Sequence, residues 1–173
     1  MNAQTSILVG CSNEMVWIRV EGKGSFLNSS GVKEFAKEMI NRRYREFVID
    51  LAKCPAMDST FMGTMAGIAL RLRELNQGSL RVININERCH DLLKNLGLDQ
   101  LFSIGDAMTV SEPENGTLAP ASLGTEADRL ETTKIMIEAH QALVDVSPEN
   151  LPKFKDVLDF LKHDLHHEVG KQP

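Results

Sequence analysis

The sequence predicts an α/β fold: a central, mostly parallel mixed sheet of four to five strands with helices, followed by a C-terminal helical extension. Three observations predict it. Short runs rich in Val and Ile alternate with segments of helical periodicity, a segment rich in Gly, Pro, Ser and Thr follows, and two amphipathic segments close the chain. Alternation of strands and helices implies right-handed crossovers and a parallel sheet. We therefore expect an α/β domain at residues 1–104, a linker at 105–124 and an acidic helical extension at 125–173.

The first part of the chain opens with two predicted strands and a helix. Apolar runs at residues 7–9 and 15–20 flank a polar segment, a pattern typical of a β-hairpin. Apolar residues then recur at helical offsets, which predicts a helix with one buried face. These residues are Val32, Phe35, Ala36, Met39 and Ile40. Ser29 or Ser30 is expected to cap the start of this helix.

Two further strand–helix pairs and a last strand are predicted before residue 105. Residues 47–51 indicate a buried strand, and an apolar stripe from Phe61 to Leu75 predicts the helix that follows it. Residues 80–85 indicate another strand. A short helix then ends at Gly97, a residue suited to a helix C-terminus, and a strand at 101–104 completes the order.

Two amphipathic helices are expected in the C-terminal extension. The apolar side of the first includes Leu130, Ile137 and Val144, with Met136, Ala139, His140 and Leu143 on the same side. The second begins near residues 147–150 and carries Leu151, Phe154, Leu158, Leu161 and Leu165. Their apolar faces need a partner, which is one another, the first domain or another chain, so a homodimer stays open. The first of these helices is also a candidate to complete the α/β fold.

Composition and charge exclude several classes of protein. With 42% apolar and 25% charged residues, the 173-residue chain is neither disordered nor fibrous. No apolar run approaches the roughly 18 residues of a membrane span, so no membrane contact is expected. Residues 1–104 carry 13 Lys and Arg against 11 Asp and Glu, whereas residues 105–173 carry 6 against 13, a balance that argues against nucleic-acid binding. Three separated cysteines without a secretion signal predict a cytoplasmic protein with reduced thiols.

The segment between the strand at 47–51 and the next helix is the most informative one chemically. Asp58 or Ser59 lies where that helix starts, and the side-chain oxygen of either residue is suited to accept an unpaired backbone N–H. A second interpretation is that Ser59 accepts a phosphate, since helix N-termini stabilise anions. The carboxylate of Asp58 would then repel the added charge and alter the surface offered to a partner.

From about residue 7 to residue 104 the order of elements resembles the STAS domain family, which is named for sulfate transporters and anti-sigma factor antagonists. The resemblance rests on the strand at 47–51, on Asp58, Ser59 and Thr60 with Gly63 nearby, and on the segment 92–98. In that family an Asp-Ser-Ser/Thr-Gly segment opens the second helix. The family's Gly is replaced here by Phe61. The residue after the Asp is the phosphorylated one in bacterial antagonists, which corresponds to Ser59, with Thr60 as the alternative.

The resemblance implies partner switching rather than catalysis. An unphosphorylated antagonist binds an anti-sigma factor that is also a serine kinase, phosphorylation ends the binding, and a metal-dependent serine phosphatase restores it. No catalytic residue, cofactor or metal is expected in the chain. The partner-binding surface implied for this sequence consists of Asp58, Ser59, Thr60, Phe61, Met62 and Gly63.

Several alternatives stay open at this point. A constitutive STAS-like scaffold or ligand-binding domain in a signalling complex is the main one, with Phe61 and the C-terminal helices as its interface. A small hydrolase or transferase using Cys54 or Cys89 lacks a base at a supportive spacing. Gly63 and Gly67 favour close packing of one helix. The three histidines His163, His166 and His167 have spacings that suit a metal site, but a solvated helix explains them more simply.

Overall fold

The computed structural model describes residues 5–105, 110–121 and 129–171. Within these residues, six strands form one sheet in the order β5-β4-β3-β2-β1-β6. They are β1 (Ser6–Ser12), β2 (Met15–Glu21), β3 (Glu46–Lys53), β4 (Ser79–Ile83), β5 (Ser103–Gly105) and β6 (Ala119–Pro120). The strands β2 to β5 pair in parallel, whereas β1 pairs antiparallel with β2 and with β6. The predicted α/β class and the mostly parallel mixed sheet are confirmed.

The described part of the chain also contains five α-helices: α1 (Phe26–Asn41), α2 (Ser59–Glu74), α3 (Glu87–Asn95), α4 (Arg129–Val146) and α5 (Leu151–Val169). Short 3-10 turns lie at Leu98–Gln100 and Pro148–Asn150. Every helix predicted from apolar periodicity is present. No helix in the described ranges is long and apolar enough to cross a membrane.

The alternation of side chains along the strands builds two apolar layers. Phe47, Ile49 and Leu51 of β3 face the helices and join the main core, which includes residues of α1, α2, α3 and α4. Val48 points to the opposite face and packs with Trp17 of β2 and Ile83 of β4. Because both faces are covered, β3 is buried over most of its length, as its continuous apolar sequence predicts.

Two details differ from the expectations. Helix α1 starts at Phe26, so the prediction that Ser29 or Ser30 caps it is wrong. Ser25 caps it instead, within a capping box in which the Asn28 side chain bonds back to the Ser25 N–H at 2.9 Å. The sheet also has one strand more than the four to five predicted, because Ala119 and Pro120 pair with β1.

Helix α4 forms a third layer outside α2. It packs mainly on α2, and α5 packs back on α4, so the last two helices form a hairpin. We call residues 129–171 the C-terminal hairpin. Its first helix lies on helices rather than on the strands, and it therefore covers the outward side of the element that carries Asp58 and Ser59.

Candidate functional site

The site lies at the start of α2, just after the segment that connects β3 to α2. Asp58 is the N-cap of α2, and its Oδ1 accepts the N–H of Phe61 at 2.8 Å. Its Oδ2 accepts the N–H of Phe26, the first residue of α1, at 2.9 Å. One carboxylate therefore caps two helix N-termini, where the positive ends of both helix dipoles favour its negative charge. This arrangement fixes the position of the residue that follows Asp58.

Ser59 is the first residue of α2 and is half-buried. Its Oγ lies 2.9 Å from Nε2 of His140 in α4, a residue 81 positions away in sequence. The other ring nitrogen of His140, Nδ1, lies 2.7 Å from the carbonyl oxygen of Met136. Since a carbonyl only accepts, Nδ1 carries the proton, and in the neutral ring Nε2 accepts from the Ser59 hydroxyl. The serine predicted to be a phosphoacceptor is thus already hydrogen-bonded to the C-terminal hairpin.

A cavity of about 500 Å³ opens beside Ser59. It lies between α2, α3 and the start of α5, and its lining residues are Ser59, Met62, Leu92, Asn95, Leu96, Lys153 and Phe154. The Phe154 ring also packs edge-on against His140, with ring centroids 5.1 Å apart. The side chain of Ser59 is therefore partly covered by the hairpin but still borders open space.

The other residues of the predicted partner surface are buried. Thr60, Phe61 and Met62 are at most 5% exposed. The Phe61 ring points into the core against Gly24, where an added Cβ would lie 2.7 Å from the ring. Gly63 is buried under α4. The aromatic that replaces the family's Gly therefore fills the interior of this domain, and of the six predicted residues only Asp58 and Ser59 reach the surface in part.

Ser59 and His140 have the geometry of a nucleophile and a base, but their surroundings do not suit hydrolysis. Acyl transfer needs N–H donors where negative charge develops on the substrate oxygen. Here the N–H of Phe61 is taken up by the carboxylate of Asp58, and that carboxylate directly precedes Ser59. An oxyanion formed at this place would meet repulsion, so the pair is better described as a hydrogen-bonded contact between helices.

The cysteine and histidine candidates do not gather into a site. Cys54 and Cys89 are buried, and burial raises the pKa of both thiols, which disfavours the reactive thiolate. His163, His166 and His167 are exposed on α5. Within the described part of the chain, no group of three potential metal ligands lies close enough together to hold an ion.

His140 is the site residue whose role sequence reasoning missed. The sequence places it on the apolar side of a helix, and a histidine on such a face needs hydrogen-bond partners when buried. That signal predicts a buried polar contact. It does not reveal that the partner is Ser59, because the way α4 packs on α2 is not encoded locally.

The fold and site together define an α/β domain whose distinctive feature is a hydroxyl at the start of α2, next to a carboxylate that accepts N–H groups from two helix N-termini. The sequence model of the STAS domain family matches residues 6–112, which is more than half of the chain. The chain therefore belongs to the STAS domain family. The match ends before α4, so the C-terminal hairpin lies outside it.

Solved structures support the fold. The Thermotoga maritima protein TM1081, provisionally assigned as an anti-sigma factor antagonist, is 18% identical and aligns with a TM-score of 0.54. The alignments cover 58% of this chain and 81% of the solution structure or 86% of the crystal structure. The phosphorylated form of the Bacillus protein SpoIIAA is 19% identical over 59% of this chain and 90% of its own, with a TM-score of 0.49 that is too low to support a conclusion. No protein of curated function matches the sequence.

Proposed function

We propose that this STAS domain is a non-enzymatic phospho-switch of the anti-sigma factor antagonist type. In the unphosphorylated state it binds an anti-sigma factor that is also a serine kinase. Phosphorylation at Ser59 releases that partner, and a metal-dependent serine phosphatase resets the switch. The observation that carries the proposal is the position of the Ser59 hydroxyl, at the first residue of α2 and beside a carboxylate with two backbone partners.

The electrostatics of this position suit a switch. A phosphate adds about −1.5 to −2 charges at neutral pH. The N-terminus of α2 partly stabilises that charge, while the adjacent carboxylate of Asp58 repels it. Modification therefore changes the local potential strongly without disturbing the buried sheet, since neither residue belongs to the main core.

Two further features fit the proposal. Phe26 and Leu27 at the start of α1 are 41% and 78% exposed, and the Phe26 N–H bonds to Asp58. They place an apolar contact area for a partner beside the charged switch. The three cysteines are free, which suits the reducing cytoplasm, the location we propose.

The test combines phosphate mapping with partner capture. The chain is incubated with the cognate kinase or purified from its own cells, and phosphate is mapped by mass spectrometry. We expect phosphate on Ser59, its loss in Ser59→Ala, and its retention in the neighbouring control Thr60→Val, because Thr60 is buried. The anti-sigma factor should bind Ser59→Ala and fail to bind Ser59→Asp. Absence of phosphate from both Ser59 and Thr60, with unchanged binding by both Ser59 variants, contradicts the proposal.

A constitutive STAS scaffold is the second candidate, and the hydrogen bond from Ser59 to His140 favours it. In that case the hydroxyl only holds the C-terminal hairpin in place. Ser59→Asp would then leave partner affinity unchanged. The binding experiment above separates the two candidates, because only the switch distinguishes Ser59→Ala from Ser59→Asp.

A further inference from the structure

The C-terminal hairpin contacts the proposed switch surface at three separate places. The first is the crossing of α4 over α2. A Cβ added to Gly63 would lie 2.2 Å from the carbonyl oxygen of Ala139, so the two helices approach closely only because residue 63 is a glycine. Four residues further along the same helix, a Cβ added to Gly67 would meet no atom of a neighbouring element within 4 Å. The close approach is therefore confined to the part of α2 nearest Ser59.

The second contact is the hydrogen bond between Ser59 and His140. His140 is only 5% exposed, and Phe154 of α5 packs edge-on against its ring. Both helices of the hairpin thus contribute to holding the Ser59 hydroxyl. Formation of a phosphate ester would replace the hydrogen that Ser59 donates, so modification and this hydrogen bond exclude each other.

The third contact is made by the turn between α4 and α5. Asn150 is 1% exposed, and its side-chain amide donates to the carbonyl oxygens of Leu96 at 2.9 Å and Leu143 at 2.8 Å. Lys153 donates to the carbonyl oxygen of Asn95 at 2.8 Å. The turn thereby satisfies carbonyls at the end of α3, a helix that borders the same cavity as Ser59.

We infer that the C-terminal hairpin occupies, within the same chain, the surface onto which a helix of the partner docks. This inference rests on the proposed function. The surface fits an α-helix that carries a small side chain opposite Gly63, as Ala139 does in α4. Partner and hairpin compete for this surface, and access of a kinase to Ser59 likewise requires the hairpin to move aside.

Two observations support displacement rather than permanent cover. The hairpin lies beyond the part of the chain that matches the STAS family, which ends at residue 112. Its second helix buries only Leu158 and Leu161, while Val157 and Phe160 stay exposed. Since α4 contributes Ala142 and Leu143 to the main core, opening of the hairpin is expected to begin at α5, because a segment with few buried apolar contacts opens more readily than a core element.

The experiment measures access to position 59 directly and needs no kinase. Ser59→Cys is made together with Cys11→Ser, so that the remaining thiols, Cys54 and Cys89, are buried. The labelling rate is measured with a bulky polyethylene glycol maleimide and with iodoacetamide. The rate with the maleimide divided by the rate with iodoacetamide is low when the hairpin covers position 59. This ratio reports steric cover, because any effect of His140 on thiol reactivity acts on both reagents.

Paired variants then undock the hairpin from either side. Gly63→Ala adds a methyl group against α4, and Ala139→Leu adds bulk from the hairpin side. Each should raise the ratio by about fivefold or more, since overpacking shifts the docked equilibrium by at least about that factor. The matched control Gly67→Ala, made where there is space, should change it by less than about twofold.

A third variant covers the case in which the overpacked proteins do not fold. Asn150→Ala removes atoms instead of adding them, and it should raise the ratio in the same direction. A ratio that stays at the parental value in all folded variants overturns the inference, as does a parental ratio equal to that of the urea-unfolded chain. If labelling shows no cover while phosphate is still found on Ser59, the proposed function stands and only the competition is refuted.

Discussion

The sheet with α1, α2 and α3 on one side and the C-terminal hairpin on the other differ in how much of the main core they supply. The first region has a continuous core to which every long strand and each of the three helices contributes buried side chains. The hairpin adds a smaller set of buried side chains to that core, among them Ala142 and Leu143 of α4. It is also held by one close helix crossing and by hydrogen bonds from His140, Asn150 and Lys153. On the inference made above, the hairpin opens while the sheet and the first three helices keep the larger part of the core. The face that carries Ser59 is then covered while the hairpin is docked and accessible to a partner when the hairpin opens.

The largest expected effect is a difference in the free energy of unfolding between two phenylalanine variants. Phe61 is fully buried in the core, and Phe61→Ala should lower the free energy of unfolding by about 3–5 kcal/mol because it leaves a cavity. Phe160 of the hairpin is 69% exposed, and Phe160→Ala should change it by less than about 0.5 kcal/mol. Urea unfolding followed by circular dichroism measures both. Similar losses for the two variants would show that the hairpin belongs to the same cooperative core.

An intermediate effect is expected at the turn of the hairpin. Asn150→Ala leaves the carbonyl oxygens of Leu96 and Leu143 without that donor, which should cost about 1–3 kcal/mol. Hydrogen exchange should become faster in α4 and α5 and stay unchanged in β3. The exposed Asn95 offers a control, since Asn95→Ala keeps the backbone carbonyl that Lys153 uses. Equal acceleration in β3 would contradict separate opening of the hairpin.

The smallest effect concerns the buried thiols of the first region. Burial raises the pKa of Cys54 and Cys89 above their ordinary value of 9.0. Both thiols therefore contribute stability that is fully present below that value. This contribution is lost as the pH rises through their folded-state pKa, because the unfolded chain gives up these protons more readily.

We expect the melting temperature of the parent to fall more steeply above about pH 8.5 than that of Cys54→Ala with Cys89→Ala. The half-buried Cys11 serves as the control position. Thermal melts from pH 7 upward give the comparison. A parent and a double variant with parallel pH profiles would show that burial of these thiols has no influence on stability.

The regular elements were predictable because their signals are periodic and local. Apolar stripes located the helices, and the continuous apolar run at residues 47–51 located the buried strand β3. The start of α1 was placed one turn too late, since Ser25, Ser29 and Ser30 are all plausible caps in sequence. Ser25 is the cap because its backbone is extended, as an N-cap residue requires, and the helix begins at the next residue. The two-residue strand β6 is too short to leave a period-2 pattern.

The local part of the candidate site was predictable from the sequence, whereas its long-range contacts were not. Asp58 was expected at the start of α2 because its cap to Phe61 spans only three residues. Its second bond, to Phe26, spans 32 residues and depends on how α1 and α2 lie on the sheet. Phe61 opens the apolar stripe that predicted α2, so its burial had a signal in the sequence. The burial of Gly63 under α4 had none, because a glycine suits an open partner surface equally well.

The sequence by itself determined the order of strands and helices and the hydroxyl at the first residue of α2. Those features follow from side-chain periodicity and from hydrogen bonds within a single turn. Only the tertiary structure decided that His140 meets Ser59 and that α4 crosses α2 at Gly63. The physical reason is that apolar burial drives a helix face toward some partner without specifying which one. Which surface the helix packs on then depends on shape complementarity and on hydrogen bonds between the polar groups that become buried.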